Sequence, residues 1–294
     1  MPHSITIVRA DIMGYCMGVR RAVEATEQAL LESPIRPVYT YGPLIHNPQA
    51  LERLAASGVV VIGEGYEPVP DDFRGATVVV RAHGIPPDER RELERRGARV
   101  VDATCPRVLS SQKRALVYHE RGYSVFLAGD RNHGEITGIA GFAPGCVVLE
   151  NRADADALES YPERAVLISQ TTIREGEYEA IAETLSARVP ELVVLNTICP
   201  ATMDRQKALE ELAREVDGIV VVGGKNSANT VRLYKSALAL TGRAWLTETA
   251  DGIPEEAFAL DRVGITAGAS TPDEVIDEVE QALQKGYYPR KDQP

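Results

Sequence analysis

The chain of 294 residues is poor in cysteine and histidine, with four of one and five of the other, and none of its cysteines form a close pair. The CxxC pairs of structural zinc sites are therefore missing. No apolar run approaches the roughly 18 residues of a membrane-spanning helix, and no low-complexity tract interrupts the sequence. The opening MPHSITIVRAD lacks the basic segment and long apolar core of a secretory signal. Unpaired thiols in such a chain fit a reducing cytoplasm. Neither GxGxxG nor a phosphate loop occurs; in GGKNS (223–227), Asn follows the lysine where that loop needs Ser or Thr. A net charge of −11 argues against a nucleic-acid backbone as main partner. It leaves room for a small anion held by local donors.

What is present is repetition. Cys16, Cys105 and Cys199 each follow a β-like run and open a helical one, at spacings of 89 (105−16) and 94 (199−105). A second strand follows each, ending in glycine and small polar groups: VYTYGPLIHN (38–47), SVFLAGDRNHGEITG (124–138) and GIVVVGGKNSANT (218–230). Then come TVVVRAHGIPPDE (77–89), AVLISQTTIREGE (165–177) and RVGITAGASTPDE (262–274). The cysteines stand 67, 66 and 71 residues before His83, Thr171 and Ser270 (83−16, 171−105, 270−199). Such a period speaks for the whole fold. It predicts three homologous α/β lobes in pseudo-threefold arrangement, spanning 14–105, 106–198 and 199–285. The strand in 1–13 joins the third lobe, and 286–294 forms a polar surface tail. Strand–loop–helix units in series imply parallel sheets, with ligands beyond the carboxyl ends of the strands.

Pro106 and Pro200 suit the first residue of a helix. A sulfur at that point meets the positive end of the helix dipole, which favours thiolate, the metal-binding form. One cysteine alone reads best as a buried apolar residue; three at one repeated position read best as ligands. Cys146 has no repeat equivalent and reads as a core or loop thiol. With no fourth repeated ligand, three thiolates suit a cubane iron–sulfur cluster with one iron open to a substrate oxygen. Three of the five histidines, His46, His83 and His133, fall in the repeated loops; His3 and His119 read as surface residues. Asn47, Asn132, Thr171, Thr172, Ser227, Asn229 and Ser270 add neutral donors. Singly these are good helix caps; together with the thiols they read as an anion site. Glu135, the one carboxylate inside these loops, either complements a helix start or, desolvated, keeps a proton and acts as general acid, with His133 assisting.

The segments GYCMGVRRAV (14–23), YGPLIHN (41–47), RAHG (81–84), DATCP (102–106), GDRNHGEITGI (129–139), SQTT (169–172), NTICPAT (196–202), GGKNSANT (223–230) and GITAGAS (264–270) closely resemble the LytB (IspH) family of diphosphate reductases. They span nearly the whole chain in the family's order. Ala228 departs from the second serine many members carry. The resemblance implies a trefoil around one 4Fe–4S cluster, with Cys16, Cys105 and Cys199 as its ligands and one iron open to substrate. It implies diphosphate binding by His46, His83, His133, Ser227, Asn229 and Ser270, with Thr171 and Glu135 near the substrate hydroxyl. The implied reaction is reductive dehydroxylation of (E)-4-hydroxy-3-methylbut-2-enyl diphosphate to isopentenyl and dimethylallyl diphosphate, the last step of the methylerythritol phosphate route. The implied electron donor is a ferredoxin or flavodoxin, for which Arg20, Arg21, Arg107, Lys113, Arg114 and Lys225 are candidate contacts. Neither nucleic acid nor membrane is an implied partner. A hydro-lyase, an iron–sulfur sensor and a zinc hydrolase remain as other classes, separable by electron demand, turnover and metal content.

Overall fold

Short runs of β-branched and aliphatic residues become the strands of three four-stranded, all-parallel sheets. The structure, a computed structural model, describes residues 5–45 and 47–286. The expected ligand His46, His3 and the expected tail from Tyr287 onward lie outside the described residues.

In chain order the first elements are β1 (Thr6–Arg9), α1 (Met17–Glu32), β2 (Val38–Tyr41), α2 (Pro48–Ala56), β3 (Val59–Ile62), β4 (Thr77–Val80), α3 (Pro87–Arg95) and β5 (Arg99–Asp102). Next come α4 (Pro106–Glu120), β6 (Ser124–Ala128), α5 (Gly134–Ala140), β7 (Val147–Leu149), α6 (Arg152–Asp156), β8 (Arg164–Ser169), α7 (Glu175–Ser186) and β9 (Glu191–Leu195). The last are α8 (Pro200–Ala213), β10 (Gly218–Val222), α9 (Ala228–Thr241), β11 (Ala244–Thr247), α10 (Glu255–Phe258), β12 (Arg262–Ala267) and α11 (Asp273–Lys285).

The three sheets share one topology. Their strand orders are β3-β2-β4-β5, β7-β6-β8-β9 and β11-β10-β12-β1. Each reads second, first, third, fourth, with the N-terminal strand supplying the fourth position of the last sheet. The inner strands β4 and β10 are buried on both faces, which is why they are continuous apolar runs (TVVV and GIVVV) rather than alternating ones. Burying each such side chain contributes roughly 1.5–3 kcal/mol. The helices cover the faces with apolar stripes, as with Val275, Ile276, Val279 and Leu283 of α11 and Leu209 and Leu212 of α8.

The chain forms two compact units. Among the described residues, one comprises 5–19, 45, 47–56 and 200–286 and holds the β10-containing sheet; the other comprises Arg20–Leu44 and Ser57–Cys199 and holds the other two sheets. The α2 segment, although inserted between β2 and β3, belongs to the first unit.

Candidate active site

Each repeated cysteine leaves the fourth strand of a sheet and opens the next helix. Cys16 follows β1 and precedes α1, Cys105 follows β5 and caps α4, and Cys199 follows β9 and precedes α8. One backbone hydrogen bond recurs at all three. The cysteine N–H donates to a carbonyl just past the third strand: Cys16 to Ala269 at 3.1 Å, Cys105 to Ala82 at 2.9 Å and Cys199 to Thr171 at 2.9 Å. All three cysteines are outside any disulfide and half-buried. The Val19 N–H, an otherwise unmatched donor of the first helical turn, points at Cys16 Sγ at 3.5 Å. Three half-buried thiols at helix starts, held through the backbone and outside any disulfide, have the chemistry an iron–sulfur cluster requires of its ligands. Cys16 lies in one unit and Cys105 and Cys199 in the other. Among the described residues no group of three His, Cys, Asp or Glu side chains forms a metal site within either unit. Cys146 differs, as its lack of a repeat partner predicts: it packs against the apolar core that holds Val125, Leu127 and Ile136, and burial pushes its thiol pKa up.

Recurring backbone bonds also set the register of the loops. Gly84 N–H donates to Arg81 O, Ile173 to Gln170 O and Thr271 to Gly268 O. These make Thr172 the equivalent of His83 and Ser270, whereas counting along the sequence aligns Thr171 with them. Thr171 instead matches Ala82 and Ala269, the carbonyls that receive the cysteine N–H groups. The first two lobes keep one cysteine-to-loop offset, and the 66 to Thr171 falls one residue short of it. The true offsets are 67, 67 and 71 (83−16, 172−105, 270−199).

In the second unit the loops after β4, β6 and β8 join four expected site residues in one network. The Thr171 N–H donates to Glu135 Oε1 at 2.7 Å, and the Thr171 hydroxyl bonds Oε2 at 2.6 Å. Glu135 is 1% exposed. A carboxyl so buried is tolerated because both oxygens have partners. The Glu135 N–H donates to Nδ1 of His133, the cap of α5, at 3.2 Å. That bond leaves the proton of a neutral His133 ring on Nε2. The rings of His133 and His83 meet edge to face, 4.8 Å between centroids. A continuous run therefore leads from Cys199 through Thr171, Glu135, His133 and His83 to the Ala82 carbonyl that holds Cys105.

The first unit carries Ser227, Asn229 and Ser270 of the expected anion donors, with Asn47. Ser227 caps α9, accepting from Thr230 N–H at 3.3 Å, and Asn47 caps α2, accepting from Ala50 N–H at 3.0 Å. Ser227 and Ser270 follow the adjacent strands β10 and β12. The Nδ2 groups of Asn47 and Asn229 and the Ser270 Oγ are buried without a hydrogen-bond partner among the described residues. Each such orphan costs about 1–3 kcal/mol, a cost an anion would relieve. Thr172 is half-buried and accepts from Gln170 Nε2 at 3.0 Å. Asn132 and His119 are exposed, as are Arg20, Arg21, Arg107, Lys113, Arg114 and Lys225.

Two side chains beside the network escaped the sequence reading. Gln170 is fully buried and accepts from Asp130 N–H at 2.9 Å, bracing the β6 loop. Arg81, 2% exposed, pairs with Glu64. The signal for Arg81 was a charged residue directly after the apolar run TVVV.

Among the described residues no helix is long and apolar enough to cross a membrane. The profile of the LytB protein family matches residues 7–284. A 4-hydroxy-3-methylbut-2-enyl diphosphate reductase of Treponema denticola is 49% identical over 290 residues, covering 96% of this chain and 100% of its own. The reductase of the same name from Aquifex aeolicus is 40% identical over 96% of both chains. A solved (E)-4-hydroxy-3-methyl-but-2-enyl diphosphate reductase, described as the terminal enzyme of the non-mevalonate pathway, matches with a TM-score of 0.69 at 40% identity, covering 96% of this chain and 99% of its own. The E-1-hydroxy-2-methyl-but-2-enyl-4-diphosphate reductase of Plasmodium falciparum matches with a TM-score of 0.86 at 28% identity, covering 95% and 88%.

Proposed function

The chain belongs to the LytB family, and from that premise we propose that it is a 4-hydroxy-3-methylbut-2-enyl diphosphate reductase acting at the end of the non-mevalonate route to isoprenoids. The observation that carries the chemistry is the buried Glu135 carboxyl, gripped at both oxygens by Thr171, whose own carbonyl holds Cys199. That arrangement ties a proton-bearing group to the backbone of a cluster ligand.

We assign Cys16, Cys105 and Cys199 as the thiolates of one 4Fe–4S cluster. When bound, such a cluster supplies electrons and an iron without a protein ligand, which serves as Lewis acid. The residues of the chain do the rest. Ser227, Asn229 and Ser270, with His46, His83 and His133, hold the diphosphate and so fix the reacting carbon, a positioning effect. Glu135 holds a proton for the departing hydroxyl, so that water rather than hydroxide leaves. Thr171 orients that carboxyl through its N–H and hydroxyl. The balance is an allylic alcohol plus two electrons and two protons giving water and an alkene. Protonation at either end of the allyl unit yields isopentenyl or dimethylallyl diphosphate. Electrons come from a ferredoxin- or flavodoxin-type donor in the cytoplasm, and the exposed arginines and lysines named above offer it contacts.

The test is anaerobic purification, iron and sulfide analysis, and turnover of the hydroxymethylbutenyl diphosphate with reduced methyl viologen. About four irons per chain, viologen oxidation and both five-carbon products support the assignment. A full cluster that consumes no reductant turns the reading to a lyase or sensor, and zinc without iron removes the cluster.

A further inference from the structure

We propose that the Arg81–Glu64 ion pair is a positioning device for His133 and Glu135, acting through the glycine between them. The proposal rests on the reading of Glu135 as proton donor. Arg81 follows β4 directly and is 2% exposed despite its charge. Its Nη1 donates to Glu64 Oε2 at 2.5 Å, and Nη2 donates to Oε1. Glu64 reaches it from the turn after β3 with φ at +51°, a backbone state that side-chain-bearing residues seldom adopt. The two-pronged bond fixes the plane of the guanidinium, not just its charge.

That plane lies against the start of α5. A Cβ on Gly134 would sit 1.9 Å from Arg81 Nη2 and 2.6 Å from Cζ, and one on Gly42 would sit 2.5 Å from Nη1. The guanidinium fills the space that any side chain at 134 needs. Residue 134 is the first of α5, between the cap His133 and the acid Glu135. One turn later, a Cβ on Gly138 would meet the His83 carbonyl at 3.1 Å, so the loop carrying Arg81 and His83 sets how closely α5 approaches. Glycine is otherwise a poor choice inside a helix, where alanine is preferred. The equivalent position at the start of α9 is Ala228. Gly134 is thus explained by Arg81, and the direction of the His133 ring and the Glu135 carboxyl follows from both.

The test is a cycle of four holoproteins: the parent, Arg81→Ala, Gly134→Ala and the double variant, each measured for melting temperature, kcat and KM. Gly134→Ala is expected to lower melting temperature and to cut kcat by about tenfold to a hundredfold, as a displacement near 1 Å can. In the Arg81→Ala background the same change should be neutral or raise the melting temperature. Arg81→Ala alone should lower kcat by about tenfold, with a smaller rise in KM through the displaced His133, and Arg81→Lys, which lacks the fork, should not restore kcat. Where Arg81→Ala fails to fold, Glu64→Ala frees the guanidinium and should show the same kcat loss. A Gly134→Ala penalty equal in both backgrounds overturns the clamp. Full kcat in Arg81→Ala or Glu64→Ala overturns its role in positioning. Normal turnover by Glu135→Gln alongside an intact reversal of melting temperature removes the acid reading and leaves the clamp.

Discussion

The openings of α5 and α9 are the same piece of backbone put to two uses. Both follow the first strand of a sheet through a glycine of positive φ, Gly129 and Gly223. In both, that glycine's N–H donates to the end of the second strand, at Leu149 and Thr247, and a basic residue's N–H donates to a glutamate, Arg131 to Glu150 and Lys225 to Glu248. The caps His133 and Ser227 are equivalent, and so are Glu135 and Asn229 two residues later. The difference is in satisfaction. Both Glu135 oxygens are bonded inside the protein, whereas the Asn229 Nδ2 is buried without a partner among the described residues. A group that must move a proton repeatedly needs a fixed geometry before substrate arrives. A group that binds an anion can be left with its donor unmatched and satisfied by the ligand. On the proposed reading, one loop frame serves preorganised acid chemistry and the other recognition.

The largest expected effects would break this comparison. Glu135→Gln should cut kcat by about 10²- to 10⁴-fold, with KM and cluster content near those of the parent, measured by steady-state kinetics and iron analysis. Near-normal turnover would put Glu135 in the same class as Asn229. Asn229→Ala should act on the other constant. Losing a charge-assisted bond worth about 1.5–3 kcal/mol should raise KM about tenfold or more. Its melting temperature without substrate should hold or rise, since an orphan donor is removed. A fall in kcat at unchanged KM would show that Asn229 shares in the chemistry and is not only a diphosphate donor.

Much of this site could be read in the sequence, and the reasons are physical. Cys16, Cys105 and Cys199 stand out because a side chain held at one topological place recurs with the strand and helix that present it. Glu135 stands out because a carboxylate is rare among neutral loop donors. The pairing of Thr172 rather than Thr171 with His83 and Ser270 shows in the sequence only as an equal offset of 67 in the first two lobes. The third lobe, at 71, removes the strict period that would choose between neighbouring threonines, and hydrogen bonds across the loops settle the register. Glu64 could not be tied to Arg81, since two residues 17 apart on different strand ends show no period. The sheet order that makes β1 the fourth strand beside β12 was legible only in part, as a strand in 1–13 joined to the third lobe.

A smaller effect would sharpen the comparison at the residue between cap and acid. Ala228→Gly gives the α9 opening the glycine of α5 without the guanidinium that calls for it. It should cost about 0.5–1 kcal/mol through the added freedom of the unfolded chain. In a chain of this size that lowers the melting temperature by about 2 °C. No fall at all would mean that this first helical position is indifferent to glycine, and that Gly134 needs no explanation from Arg81.

The smallest expected effect concerns the polar cluster behind the α5 opening. Glu89 of α3 is half-buried beside Tyr41, with Glu64 and Arg81 also acting on it. Burial raises its carboxyl pKa, the Tyr41 hydrogen bond opposes that, and the Glu64 charge adds to the rise. Tyr41, pushed up to about 12 chiefly by burial, stays a neutral donor throughout the working range. A carboxyl whose pKa is higher folded than unfolded favours the fold fully below its unfolded value, near 4.3, and loses that contribution as pH climbs through the folded value. Glu89→Gln keeps an oxygen for Tyr41 and removes the charge that burial opposes. It should therefore raise the melting temperature by about 1–2 °C at pH 7.5 and leave it unchanged near pH 3, where the parent carboxyl is protonated in both states. An equal shift at both pH values would mean that packing, not charge, separates the two proteins. A lower melting temperature at pH 7.5 would mean that the Glu89 carboxylate is stabilised by its Tyr41 bond and the Arg81 charge by more than burial costs it.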